Sequence, residues 1–254
     1  MKLWNYGDSH AAGHELGTVY SDDLGERWFN SIGWYSNDPG TTVRNVCRNK
    51  LGVEKYIKKI RTQWYKHINS QCTPELSYAG LLAKRLGAEL INRAEPGSSN
   101  SLNIYKMYQD FNQYQPDDII LFSVVTPLRY IPANDITATN HQIHWLPAHQ
   151  AEVLWDEGPH EVCFRLQTHG YIQLAKSLHS RCYTLKTVND DMAVLEKDIE
   201  LDIPLSFYQL TEQHVDHLEN GIDHYRYPGG HLHESLHQAY AEYLYEQIHS
   251  NKNT

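Results

Sequence analysis

The chain has 254 residues, of which 41% are hydrophobic, enough for one globular domain with a sizeable core. Its 31 acidic residues outnumber its 22 basic ones, and the formal charge of -9 would repel a phosphate backbone, so we expect no nucleic-acid partner. No stretch reaches the roughly 18 consecutive apolar residues of a membrane helix, so we expect no membrane insertion.

The first residues predict a short strand that ends in a tight turn. Residues 2–6 alternate in polarity before Gly7, as a half-buried strand does. Met1 leads directly into this strand and leaves no room for a cleaved signal peptide, so we expect a cytoplasmic protein. From about residue 18 to residue 72 the sequence is irregular, with a strong turn signal at 37–40. We interpret this segment as an insertion into a single domain spanning 1–254.

A helix is predicted to begin with Thr73 as its N-cap and Pro74 in its first turn, and to stop at Gly87. Its apolar positions recur at helical spacing: Leu76, Ala79, Leu82, Ala83 and Leu86. Residues 88–92 predict a second strand. After a turn at 96–100 a second helix is predicted, with an apolar face formed by Ile104, Met107, Tyr108 and Phe111.

The run from Ile119 to Val125 is almost continuously apolar and rich in β-branched residues, which predicts a strand covered on both faces of a parallel sheet. The next segment, 127–159, is turn-rich and polar. A helix is predicted over 161–178, with an apolar face formed by Tyr171, Leu174, Ala175 and Leu178. No strand is assigned between residues 180 and 210, and an amphipathic helix over 234–249 ends the chain. This alternation favours an α/β fold with a parallel sheet.

Two motifs near opposite ends of the chain indicate nucleophilic catalysis. Ser9 follows Gly7 and Asp8 in the turn after the first strand, where its hydroxyl can stand clear of the sheet. Near the other end, a Tyr-Pro-Gly-Gly loop delivers His231 just before the last helix, and His237 lies six positions further on. A serine hydroxyl is a poor nucleophile until a base takes its proton, and His231 is the predicted base.

Acyl transfer also requires N–H donors for the negative charge that develops on the carbonyl oxygen. Gly97 lies in a predicted turn where a backbone N–H could approach this oxygen, and the side-chain amide of Asn100 is nearby in sequence. The sequence leaves a structural interpretation open for both residues. Gly97 would then be a helix-entry glycine, and Asn100 a helix-capping or first-turn residue.

In this order the motifs resemble the SGNH (GDSL-like) hydrolase family, in which four short blocks contribute Ser, Gly, Asn and His to one site. Residues 7–9 match the first block, with His10 in place of the commoner leucine. Residues 92–97, ending in Gly97, match the second block, and residues 231–244 match the last. Divergent members found in phage-like genomes have similar Gly-Ser-Ser-Asn and Pro-Gly-Gly-His forms. The resemblance covers the framework of the chain but only a small part of its length.

The resemblance implies a flavodoxin-like three-layer α/β/α sandwich with a central parallel sheet and a site at the carboxyl ends of the strands. It implies Ser9 as the nucleophile, His231 as the base, and an oxyanion hole formed by the N–H groups of Ser9 and Gly97. The implied reaction is hydrolysis of an ester through an acyl-enzyme, without cofactor or metal, on a small-molecule or carbohydrate ester such as an O-acetyl sugar. The residues predicted to contact this substrate are His10, Thr126 and Arg129. The oligomeric state is not predicted.

Two positions depart from the family's pattern. The third block, normally Gly-x-Asn-Asp after the central strand, is absent from residues 125–129. Asn100 or Thr126 would then supply the missing donor to the oxyanion hole, and we favour Asn100. The family's aspartate three residues before the histidine is a proline here, so Asp223 is the predicted carboxylate that orients His231.

Two alternative functions stay open. The departures are compatible with a non-catalytic descendant of the SGNH fold that serves as a binding or structural module. Histidines 224, 231, 233 and 237 have the short spacings of zinc ligands, which would suit a metal hydrolase. No Cys or carboxylate pair accompanies these histidines, so we expect no metal site. The four cysteines lie far apart without a C-x-x-C pair, and we interpret them as free buried thiols.

Overall fold

The protein is described by a computed structural model that covers residues 1–14, 16, 73–125, 129–130, 144–145, 159–187, 200–215 and 234–250. The strands in these ranges are β1 (Lys2–Tyr6), β2 (Glu89–Asn92), β3 (Ile119–Val124), β4 (Arg129–Tyr130), β5 (His144–Trp145) and β6 (Cys182–Lys186). The α-helices are α1 (Tyr78–Leu86), α2 (Asn100–Asp110), α3 (Pro159–Leu178), α4 (Phe207–Val215) and α5 (Glu234–Ser250). Single 3-10 turns at Pro74–Leu76 and Phe111–Gln113 adjoin α1 and α2.

Four of these strands form one sheet in the order β2-β1-β3-β6, and every neighbouring pair is parallel. Asn5 lies at the centre of the register, opposite Asn92 on one side and Leu121 on the other. β1 therefore lies between the strands that follow it in sequence, which is the order of flavodoxin-like sheets. The short strands β4 and β5 pair with each other, antiparallel and outside this sheet.

Helices cover both faces of the parallel sheet, which confirms the predicted three-layer α/β/α architecture. Leu3 and Leu121 point to one face and belong to a buried cluster with residues of α1, α4 and α5. Trp4 and Phe122, their neighbours along the strands, point to the other face and pack with residues of α2 and α3. Side chains alternate between faces along a strand, so both faces of the central strands are apolar and buried. None of the helices within the described ranges is long and apolar enough to cross a membrane.

The start of the first helix differs from the prediction. Thr73 makes no capping bond, and its hydroxyl donates instead to the Leu16 carbonyl oxygen at 2.8 Å. Pro74 begins only a 3-10 turn, and the N-cap of α1 is Ser77, whose Oγ accepts the Gly80 N–H at 3.2 Å. The predicted end is confirmed, since Gly87 terminates α1 in the left-handed region with φ of 64°.

The residues that α2 and α3 bury differ in part from those predicted. Ile104 and Met107 of α2 are buried, but Tyr108 is 70% exposed and Phe111, just beyond the helix, is 44% exposed. In α3 the predicted residue Ala175 is buried together with Ile172, which was not predicted, whereas Leu174 is 44% exposed. Helical spacing identifies an amphipathic stripe, but the position of the sheet decides which edge of that stripe is covered.

The ends of the segment 17–72 lie side by side. The Gly13 carbonyl oxygen accepts the Thr73 N–H at 3.0 Å, in addition to the bond between the Thr73 hydroxyl and Leu16. Gly13 has φ of 71°, and a Cβ there would collide with the Thr73 carbonyl group. The described chain therefore breaks off just after the Ser9 turn and resumes next to it.

Candidate active site

Ser9 lies at the carboxyl edge of the sheet, three residues after β1 ends, in a turn of hydrogen-bonded backbone. The Ala12 N–H donates to the Asp8 carbonyl oxygen at 2.9 Å, and the His14 N–H donates to that of Ser9 at 2.9 Å. From within β1, the Asn5 side chain donates to the Ala11 carbonyl oxygen at 2.8 Å. These bonds fix the backbone of the turn, while Ser9 itself remains partly exposed.

The turn packs closely on the sheet beneath it. A Cβ at Gly7 would lie 2.6 Å from Ala11 Cβ and 2.8 Å from Ser123 Cβ. Asp8 is only 1% exposed, and its Oδ1 accepts the His10 N–H at 3.1 Å. The Gly-Asp pair before Ser9 therefore has a structural reason, since glycine permits the close approach and aspartate caps the turn.

The predicted oxyanion turn lies beside the Ser9 turn, because the pairing of β1 with β2 continues past the ends of both strands. The Arg93 N–H donates to the Asn5 carbonyl oxygen at 2.8 Å, and the Glu95 N–H donates to that of Gly7 at 3.2 Å. The chain then reverses in a turn closed by the Ser98 N–H on the Glu95 carbonyl oxygen at 3.1 Å. Gly97 has φ of 77°, as the third position of a type II turn requires.

Asn100 is the first residue of α2, whose N-cap is Ser99, and it is 4% exposed. Its Nδ2 donates to the Val125 carbonyl oxygen at 2.8 Å, and its Oδ1 accepts the Val125 N–H at 2.9 Å. The side chain thus joins the start of α2 to the end of β3. An amide nitrogen carries two hydrogens, so one hydrogen of Nδ2 is used in this pair.

Of the three predicted substrate contacts, the structure describes the side chain of His10. His10 is 6% exposed, and its Nε2 lies 3.3 Å from the Tyr208 hydroxyl. Its ring meets that of Phe207 edge-on, with the ring centroids 5.9 Å apart. This buried position does not support a contact between His10 and substrate. Thr126 lies outside the described residues. Arg129 begins β4, and its side chain also lies outside them.

His231 and Asp223 lie outside the described residues, but His237 lies within them. His237 is fully buried, its Nδ1 accepts the Tyr78 N–H at 3.0 Å, and its ring stacks on that of Tyr78 with centroids 5.7 Å apart. A nitrogen that accepts a backbone N–H carries no proton, which fixes the tautomer of a neutral ring. The sequence signal for this role is the helical spacing of His237 with buried Tyr240 and Leu244, which predicts a core-facing position.

The His237 bond holds the first turn of α5 at the carboxyl edge of the sheet. Its partner Tyr78 begins α1, and the Tyr78 hydroxyl lies 2.9 Å from Oγ of Ser123, near the end of β3. Burial, followed by the nearby Asp8 carboxylate, raises the pKa of Tyr78, while its bond to Ser123 lowers it. The hydroxyl therefore stays protonated, and neutral hydroxyl groups underlie the Ser9 turn.

We expect His237→Ala to lower the free energy of unfolding by about 2–3 kcal/mol, because it removes a buried ring and leaves the Tyr78 N–H without its acceptor. His237→Asn should lower the free energy of unfolding by less, since the amide oxygen can accept the same N–H. Urea denaturation measures both changes. His249→Ala, at the far end of α5, is the matched control and should cost under about 1 kcal/mol. Equal losses at positions 237 and 249 would contradict the anchoring role.

A polar cavity of about 770 Å³ lies at the opposite end of the sheet, between α3 and the start of β6. The Lys176–Asp202 ion pair at 2.8 Å is part of its wall, and Cys182 lines its floor. Burial raises the pKa of Cys182 to about 12, so this thiol is protonated at neutral pH. The cavity is separate from the Ser9 turn because Cys182 pairs with Ile120, at the amino end of β3.

Across the part of the chain that the structure describes, no three His, Cys, Asp or Glu side chains group closely enough to hold a metal ion. The histidines at 224, 231 and 233 lie outside that part. Comparison of the chain with protein-family models, with curated proteins and with solved structures finds no match.

Proposed function

We propose that this protein is a serine hydrolase of the SGNH type, which cleaves an ester through an acyl-enzyme on Ser9. His231 acts as the base, and Asp223 or a backbone carbonyl orients its ring. The N–H groups of Ser9 and Gly97 hold the oxyanion. The remaining hydrogen of the Asn100 amide is the third donor in this proposal.

The observation that carries the proposal is the 3.2 Å hydrogen bond from the Glu95 N–H to the Gly7 carbonyl oxygen. It joins the segment that leads into the Gly97 turn to the segment that leads into Ser9, at the carboxyl edge of a parallel sheet. In open α/β sheets, ligands bind at the carboxyl ends of the strands. They bind where the connections from two neighbouring strands lead to opposite sides of the sheet. A partly exposed serine beside a glycine turn at this edge suits acyl transfer.

A second observation supports His231 as the base. Glu234, the first residue of α5, follows His231 by three positions. Three consecutive Cα–Cα steps span at most about 11 Å. The bond between His237 and Tyr78 holds the start of α5 at the same edge of the sheet as Ser9. The proposal needs the imidazole of His231 to reach the Ser9 hydroxyl, and the short link from His231 to α5 supports this role.

The proposed reaction has two steps. Ser9 Oγ attacks the ester carbonyl carbon while His231 takes the hydroxyl proton, and the oxygen of the tetrahedral intermediate gains N–H donors. His231 returns the proton to the departing alcohol, which leaves an acylated Ser9. Water then attacks the acyl group with His231 again as base, and the carboxylic acid departs as Ser9 regains its proton. An acetyl ester of a carbohydrate is the substrate class we propose from the family resemblance.

The test is labelling with a fluorophosphonate probe, which reacts with an activated serine. We expect the wild-type protein to be labelled on Ser9 and the Ser9→Ala variant to be unlabelled while its circular dichroism spectrum is unchanged. Ser180→Ala is the matched control, since Ser180 is exposed at the opposite end of the sheet. This variant should be labelled as fully as the wild type.

Two outcomes would reject the proposal in favour of a specific alternative. A folded wild-type protein that is never labelled and hydrolyses no ester would indicate a non-catalytic module with the SGNH fold. The bonds of both ends of the Asn100 side chain to Val125 favour that alternative more than any other feature does. Hydrolysis that survives Ser9→Ala but is abolished by a chelator would indicate a metal hydrolase.

A further inference from the structure

We infer that Lys106 is a positioning residue for the oxyanion turn: its ammonium group braces the Arg93–Glu95 segment from α2 and so sets the distance between the Gly97 N–H and Ser9. This inference rests on the proposed function.

Lys106 lies on the side of α2 that faces this segment and is 7% exposed, which is rare for a lysine. Its Nζ donates to the Arg93 carbonyl oxygen at 2.8 Å and forms an ion pair with Glu95 Oε1 at 2.9 Å. One ammonium group thus contacts two residues that are two positions apart in the chain. A bond to a backbone carbonyl restrains the main chain directly, beyond what a surface ion pair would do.

The braced segment is the one that links the two turns of the site. Arg93 and Glu95 donate their N–H groups to the carbonyl oxygens of Asn5 and Gly7, in β1 and just after it. Glu95 then accepts the Ser98 N–H that closes the Gly97 turn. A shift of the segment would therefore move the Gly97 N–H relative to Ser9, and displacements of about 1 Å can reduce catalytic rates about a hundredfold.

A second brace from α2 acts on the same segment. Asp110 is 5% exposed, and its Oδ2 accepts Arg93 Nε at 2.7 Å and the Tyr6 hydroxyl at 2.9 Å. Burial lowers the pKa of Lys106, and the Glu95 carboxylate offsets part of that effect. A neutral side chain would avoid the cost of burying a charge. The two directed contacts give a reason for lysine at this position.

The experiment compares Lys106→Met, which keeps the apolar stem, with Lys106→Arg, which keeps the charge. Lys84→Met is the matched control, because Lys84 is exposed on α1 on the other face of the sheet. For hydrolysis of p-nitrophenyl acetate we expect Lys106→Met to lower kcat by about ten- to a hundredfold with KM changed less than about threefold. Lys106→Arg should recover most of kcat, and Lys84→Met should equal the wild type.

A second readout does not depend on activity. In ¹H–¹⁵N spectra the amide signals of Glu95, Gly97 and Ser98 should move in Lys106→Met and stay in place in Lys84→Met. If Lys106→Met does not fold, Glu95→Gln removes only the ion pair of an exposed carboxylate and should give smaller changes of the same kind. Unchanged kcat and unchanged turn signals in a folded variant would overturn the inference. If the wild type is inactive the proposed function fails, and the amide signals alone decide whether Lys106 positions the turn.

Discussion

Ser9→Ala and His231→Ala are each expected to lower kcat for ester hydrolysis by about 10⁴- to 10⁶-fold, and the double variant is expected to lower it no further. The two side chains act as a unit: the hydroxyl is unreactive without the base, and the base has no proton to take without the hydroxyl. Residual hydrolysis above the rate in water should persist in all three variants, because the N–H donors of the oxyanion hole remain.

Initial-rate kinetics on one ester would measure this double-variant cycle, with urea denaturation to show that the variants fold alike. Asp223→Asn should reduce kcat by a factor at least ten times smaller than either single variant does, because a carboxylate in this role only orients the ring. His237→Asn tests the other imidazole near the end of the chain and should keep most of kcat. Losses that multiply in the double variant would show that Ser9 and His231 do not share a proton. A large loss at position 237 with little loss at position 231 would assign the base to His237.

Gly7→Ala is expected to destabilise the protein by about 3 kcal/mol and to reduce probe labelling of Ser9. The added methyl would lie 2.6 Å from Ala11 Cβ and 2.8 Å from Ser123 Cβ. Both contacts are closer than real Cβ atoms allow, and neither neighbour has a flexible end that could turn away. Relief requires the Ser9 turn to lift from the sheet, which also weakens the bond from the Asn5 side chain to the Ala11 carbonyl oxygen.

Thermal and urea unfolding would measure the loss of stability, with Gly170→Ala as the matched control. Gly170 is exposed within α3, and a Cβ there would meet nothing within 4 Å. Its replacement should stabilise the helix by about 0.5–1 kcal/mol. A Gly7→Ala variant as stable as the wild type would show that the turn tolerates a side chain, and that the first glycine of the motif is not required by packing.

The layers of the fold could be predicted because their signals are local. The run of β3 is apolar at every position except Ser123, and α1 ends at a glycine, so neither depends on distant contacts. β6 was missed because its residues, Cys182 to Lys186, mix polar and apolar types, and its burial results from contact with β3. The exposure of Tyr108 and Leu174 could not be predicted either, since spacing alone does not show where a sheet meets a helix.

In the candidate site, too, the features with a local sequence signal could be predicted and those set by distant contacts could not. The Ser9 turn was predicted from adjacent residues, and the Gly97 turn from a Pro-Gly pair. The bonding of Asn100 to Val125, 25 positions away, has no local signal, because either end of an amide can find a partner anywhere in the fold. The anchoring of His237 by Tyr78 spans 159 positions, and the sequence offers only the burial of that helix face as a clue.

The hydrogen bond between Gly13 and Thr73 marks a place where the segment between them could be replaced by another. Because the residues on either side of segment 17–72 already meet, the entropic cost of joining them through a flexible segment would grow only slowly with that segment's length, by about 0.6 kcal/mol for each doubling. Segments of quite different size could therefore be grafted between these residues without redesigning the sheet. Because this junction directly follows the Ser9 turn, such a change would be made next to the serine without replacing any residue of the turn that supports it.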